Sequence, residues 1–137
     1  MISFKDFLTE RAIVSAYNIS RSSMPQIKDH EKFCKHMDAC GQKYEITRTR
    51  TSRVKPVQME VDQEKIDDMV ASNDMDDKPI IVSKENYIID GHHRYFANKQ
   101  MKRGYVSVIR TNMDLNRSLT FADEYATNQS AEPTGSE

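Results

Sequence analysis

The stretch PIIVSKENYIIDGHHRYFA, residues 79–97, decides how the rest of the chain is read. Two short runs rich in isoleucine and valine, PIIVS and YIID, flank the polar triplet KEN, the pattern of two strands joined by a tight turn. Directly after the second run stand Asp90, Gly91, His92, His93 and Arg94, followed by a helical pattern to about Met101. A strand therefore passes into a helix near His92. Asp90 is the expected N-cap, and Gly91 lets the backbone approach a ligand closely. Lys102, Arg103 and Gly104 supply the stop. His92, His93 and Arg94 then occupy a first helical turn, where unpaired N–H groups and the positive end of the helix dipole attract anions. Arg94 adds a planar fork suited to phosphate.

Working outward, YVSVIR (residues 105–110) reads as a strand with Val106, Val108 and Arg110 on one face and Tyr105, Ser107 and Ile109 on the other. Upstream, YEITRTRTSRVKPVQ (residues 44–58) has near-regular alternation of β-branched residues, as in a half-buried strand or hairpin. Asp62 can cap a helix whose apolar face is Ile66, Met69 and Val70. Before residue 42 the pattern is helical. Ser3 is placed to cap a short helix, Pro25 to start a second one striped by Phe33, Cys34, Met37 and Cys40, and Gly41 to end it. After Asn112, Leu119, Ala122 and Tyr125 mark one more helix, and TNQSAEPTGSE (residues 127–137) has the composition of a disordered tail.

The 137 residues suffice for one domain with one core, and 30% charged against 37% hydrophobic residues implies a heavily solvated surface. A net charge of −1 supplies no global field for nucleic acid, so contact with DNA would be local. The basic run RTRTSRVK (residues 48–55) is the candidate; its other reading is a solvated strand edge blunted by charge. No apolar run approaches the roughly 18 residues a membrane span needs, and the first residues lack the pattern of a secretory signal. Cys34 and Cys40 are read as free, buried thiols on a helix. A cytoplasmic setting is expected.

Zinc suits the histidine pair poorly, because neighbours on a helix point about 100° apart. Mg²⁺ held by Asp90 and shared with a phosphate suits an acid beside an anion site better. A purely local reading accounts for the same residues: Asp90 caps, Gly91 turns, and the histidines hydrogen-bond a neighbouring loop.

Residues 53–110 resemble the ParB/sulfiredoxin superfamily. Pro56-Val57-Gln58 stands, in altered form, where ParB proteins carry a Pro-x-x-Gln-type element. A helix of the "KI..M..S" type and a "PI.V" strand follow. Gly91-His92-His93-Arg94, with Ala97 after it, matches ParB's Gly-Glu-Arg-Arg and, at His93 and Arg94, sulfiredoxin's Gly-Cys-His-Arg. His92 replaces the sulfiredoxin cysteine, so sulfinic-acid reduction is not expected. The helix-turn-helix of partition proteins is not expected after Arg110. The Asp-Gly-His-His-Arg form is similar to short stand-alone members labelled ParB-like nucleases, common in bacteriophages, and to the archaeal ADP-dependent free-serine kinase.

The resemblance implies an α/β (α+β) fold: a small mixed sheet with packed helices. Residues 1–41 form an N-terminal helical extension, 42–112 the core, and 113–137 a C-terminal helix and tail. It implies phosphate binding by Gly91, His93 and Arg94, with ATP, ADP or another nucleotide as ligand and DNA as a further partner. As an enzyme, a nuclease, nucleotidase or kinase, it would use Asp90 to bind Mg²⁺ or orient a histidine. His92 or His93 would be acid/base, and Glu60 or Asp62 the base for an attacking hydroxyl. The alternative is a non-catalytic nucleotide- or DNA-binding module acting through a protein partner.

Overall fold

The structure is a computed structural model and describes residues 19, 24–58, 61–72 and 78–131. In chain order these form α1 (His30–Ala39), β1 (Tyr44–Arg50), a 3₁₀ turn (Thr51–Arg53), α2 (Gln63–Ser72), β2 (Ile80–Val82), β3 (Ile88–Asp90), α3 (His92–Gln100), β4 (Tyr105–Thr111) and α4 (Leu115–Ala131). The strands make one mixed sheet in the order β1-β4-β2-β3. β1 and β4 are antiparallel, β4 and β2 parallel, β2 and β3 antiparallel. The mixed α+β class expected above is what the chain adopts.

Both faces of the sheet are buried, which is why β2 and β3 are apolar throughout rather than alternating. Ile81, Ile89 and Ile109 face a layer that includes Phe33 and Met37 of α1 and Leu119 of α4. Ile80, Val82, Ile88, Val106 and Val108 face Tyr95 of α3. α2 packs outside α3 through Ile66 against Ala97. The turn at KEN forms as expected: Asn86 takes φ 73, and Ser83 Oγ accepts the amides of Glu85 and Tyr87 at 3.3 and 3.2 Å.

Other expectations need correction. The helix expected to start at Pro25 begins at His30, where Asp29 Oδ1 accepts the Lys32 amide at 3.1 Å. The residues before it are non-helical because Met24 and Ile27 are drawn into the core. At its far end Gly41, at φ 74, donates to Asp38 O, while Gln42 donates to Met37 O, so glycine ends the helix as the sequence implied. Residues 44–58 are not a hairpin. After β1 the chain turns at residues 51–53 and crosses the molecule, and Lys55 bridges to Tyr87 beside β3. β1 is an edge strand with Arg48 and Arg50 exposed, as both readings of the basic run require. α4 continues to Ala131, into the stretch read as tail. Phe33 packs edge-on against Phe121 and Tyr125 at 5.9 and 5.2 Å, binding that helix to α1. Cys34 is buried, but Cys40 is exposed at the helix end. The helix proposed after Ser3 lies outside the described residues. Among the described residues, no helix is long and apolar enough to cross a membrane.

Candidate functional site

The site forms where β3 ends and α3 begins. Asp90 is the last residue of β3 and not the cap expected of it; the N-cap is Gly91, in the left-handed region at φ 107, ψ 26. Asp90 is drawn away by tertiary partners. Its Oδ2 lies 2.9 Å from His30 Nε2, and its Oδ1 accepts the Ile27 amide at 3.5 Å. The carboxylate thus fastens the start of α1 to the sheet edge. Gly91 brings no side chain to cap α3, so the first-turn amides keep their anion-attracting character.

The two histidines of the motif act on backbone. His92 is 4% exposed, and its Nε2 accepts the amides of Val57 and Gln58 at 3.0 and 3.1 Å. Two N–H donors require a lone pair there, so the ring is neutral with its proton on Nδ1. Burial is the main reason its pKa falls to about 3, and the neighbouring His93 lowers it further. Protonating Nε2 would break both bonds, which gives His92 a positioning role rather than the acid/base role foreseen for it. His93 Nε2 accepts the Asp62 amide at 2.9 Å. The pair therefore clamps both ends of the crossing that leads from the 3₁₀ turn to α2. Glu60, a candidate base, falls in that crossing but lies outside the described residues. Asp62, the other candidate, caps α2 as expected, its Oδ1 accepting the Glu64 and Lys65 amides at 3.1 and 3.3 Å.

A cavity of about 870 Å³ opens in front of this turn, lined among others by His30, Gln58, Asp90, Gly91, His93 and Arg94. Lys28, Lys35, Lys65 and Lys78 also line it, as do Asp29, Glu31 and Asp38, so its wall carries charges of both signs. Asp90, Gly91, His92, His93 and Arg94 are thus brought to one cavity. His30 was missed. It comes from α1, 60 residues before its partner, and no local spacing marks it. Its Nδ1 is buried with no hydrogen-bond partner, unusual for a ring nitrogen at a cavity wall.

The site fits Mg²⁺ chelation by protein groups poorly. Both Asp90 oxygens are engaged by protein donors, and no three His, Cys, Asp or Glu side chains converge among the described residues.

Comparison with known proteins agrees with this architecture. The model of the ParB N-terminal domain matches residues 30–123, most of the chain, which therefore belongs to that family. The match begins at α1, so the His30–Asp90 pair lies within it. A solved pNOB8-like ParB N-domain is 16% identical with a TM-score of 0.50, covering 64% of this chain and 38% of its own. A second structure of that kind is 15% identical with a TM-score of 0.46, covering 56% and 30%. The first likeness is one of fold. No curated protein matches the sequence.

Proposed function

We propose that this chain binds a nucleotide or nucleic-acid phosphate at the first turn of α3 and catalyses phosphodiester hydrolysis or phosphoryl transfer. The observation that carries the reading is the uncapped turn at Gly91, opening with Arg94 and His93 onto the cavity. Such a site supplies positioning and electrostatic stabilisation, which dominate catalysis at phosphorus.

Roles follow from the geometry. Gly91 and the first-turn amides, with His93 and Arg94, hold the phosphate. His92 fixes the Val57–Gln58 backbone beside it. Asp90 orients His30 through the 2.9 Å bond, and His30, on the cavity wall, is the added acid/base candidate. Glu60 stays a candidate base on the sequence alone. Mg²⁺, if carried in with a nucleotide, would neutralise phosphate charge, and no protein step depends on it.

Phosphate release from a panel of nucleotides and from a DNA oligonucleotide tests the catalytic reading; a protein that binds but never turns over would favour the binding module. Arg94→Ala tests the site itself. Truncating one partner of a desolvated charge pair costs about 2–5 kcal/mol, so binding should weaken by tens-fold or more. Unchanged binding of ATP, ADP and DNA by that variant removes the phosphate reading.

A further inference from the structure

The C-terminal end of α3 carries a cationic surface that the phosphate site does not use. A cleft of about 660 Å³ there is lined by Arg50, Lys99, Lys102, Arg103, Tyr95 and Tyr105, among others, and no acidic residue. Neutralising the helix dipole explains a lysine or two in a last turn. It does not explain Arg50, which arrives from the neighbouring strand β1, or Tyr105, a large aromatic left 50% exposed. The cleft wall is built: Thr51 donates through Oγ1 to Arg103 O at 2.8 Å and through its amide to Gly104 O at 2.9 Å.

This cleft connects to the phosphate site. A smaller depression between them is lined by Arg48, Lys78, Arg94 and Tyr105. It shares Tyr105 with the C-terminal cleft and shares Lys78 and Arg94 with the main cavity. Seven of the chain's 20 lysines and arginines thus follow one path along α3, in a protein of net charge −1.

The path has the dimensions of a strand. α3 has nine residues, about 14 Å at 1.5 Å per residue. A nucleic-acid strand places a phosphate roughly every 3.4 Å when stacked, so about four nucleotides reach from one end to the other. The phosphates of a mononucleotide occupy one end only. Cations tracking a backbone beside an exposed aromatic form the arrangement that binds single strands, because every base offers a face to stack; in a duplex that face is already taken.

We propose that single-stranded nucleic acid lies along this path, its backbone on Arg48, Arg50, Lys99, Lys102 and Arg103 and a base on Tyr105. This rests on the phosphate-site reading for which phosphate would react, at the α3 N-terminus.

The test is fluorescence anisotropy with a labelled 12-nucleotide oligothymidylate, a 12-base-pair duplex and a fluorescent ATP analogue. Lys99 and Lys102 are exposed and lie outside the phosphate site. The double variant Lys99→Glu/Lys102→Glu should lose at least tenfold in oligonucleotide affinity and keep its ATP affinity. Its log–log salt slope should flatten by about 1.4, at roughly 0.7 per contact on single strands. Tyr105→Ala should cost about tenfold on the oligonucleotide and less than twofold on the duplex, with Tm checked for both variants. Wild-type oligonucleotide affinity in the double variant overturns the proposal, as does a wild type that prefers the duplex. Failure of the phosphate-site reading gives a different result: ATP binding untouched by Arg94→Ala.

Discussion

The imidazole of His30 and the carboxylate of Asp90 stand 2.9 Å apart across 60 residues of sequence, each side chain 15% exposed. This contact joins the first turn of α1 to the last residue of β3, so it holds one wall of the candidate site to the other. Asp90→Asn should therefore cost both stability and turnover. A partly buried donor left poorly matched costs about 1–3 kcal/mol, which is several degrees in Tm for a domain of this size. Thermal denaturation beside phosphate release checks it. An unchanged Tm would mean the pair contributes nothing to the fold.

His92 makes stability depend on pH. In the unfolded chain its imidazole takes up a proton below about 6.5, whereas in the folded protein it does so only near 3. Its contribution is complete above 6.5 and drains away as the pH falls toward 3, at up to roughly 1.4 kcal/mol per pH unit. His92→Gln retains an acceptor for the Val57 and Gln58 amides but cannot titrate. Urea unfolding at pH 7 and pH 5 should show a markedly smaller loss in that variant than in wild type.

Gly91→Ala forces a side chain onto a backbone at φ 107. The new Cβ would meet Ile80 at 3.4 Å, an ordinary contact, so the penalty is backbone strain. Such strain costs about 1–3 kcal/mol, and relaxation of the turn would misplace the first-turn amides. A lower Tm together with weaker nucleotide binding is expected. Full binding with a lower Tm would separate the turn's structural role from its phosphate role.

His93→Ala removes the acceptor of the Asp62 amide and a wall of the cavity. If His93 also transfers a proton in the reaction, kcat should fall by about 10²–10⁴ with no loss of Tm. If its task is to hold the crossing before α2, KM and Tm should move together. Steady-state kinetics read against thermal melts decide between the two.

Much of the fold was legible because its signals are local. The isoleucine and valine runs, the KEN turn, Asp62 as cap and Gly41 as stop each depend on backbone preferences within a few residues, and each appears where expected. The crossing after β1 was not legible. A β-branched alternation looks the same whether the next strand folds back or the chain leaves for the other sheet edge.

The sequence alone determined that a strand runs into a helix at the Asp-Gly-His-His-Arg motif, placing a glycine, two histidines and an arginine at a helix start. Which atoms of those residues remain for chemistry was decided by tertiary structure. Side-chain hydrogen bonds reach only about 3 Å, so the partner is whatever the packed fold brings that close. Val57 and Gln58 take the lone pair of His92, and His30 takes the carboxylate of Asp90. Both partnerships exist only once the crossing and α1 have closed over the sheet.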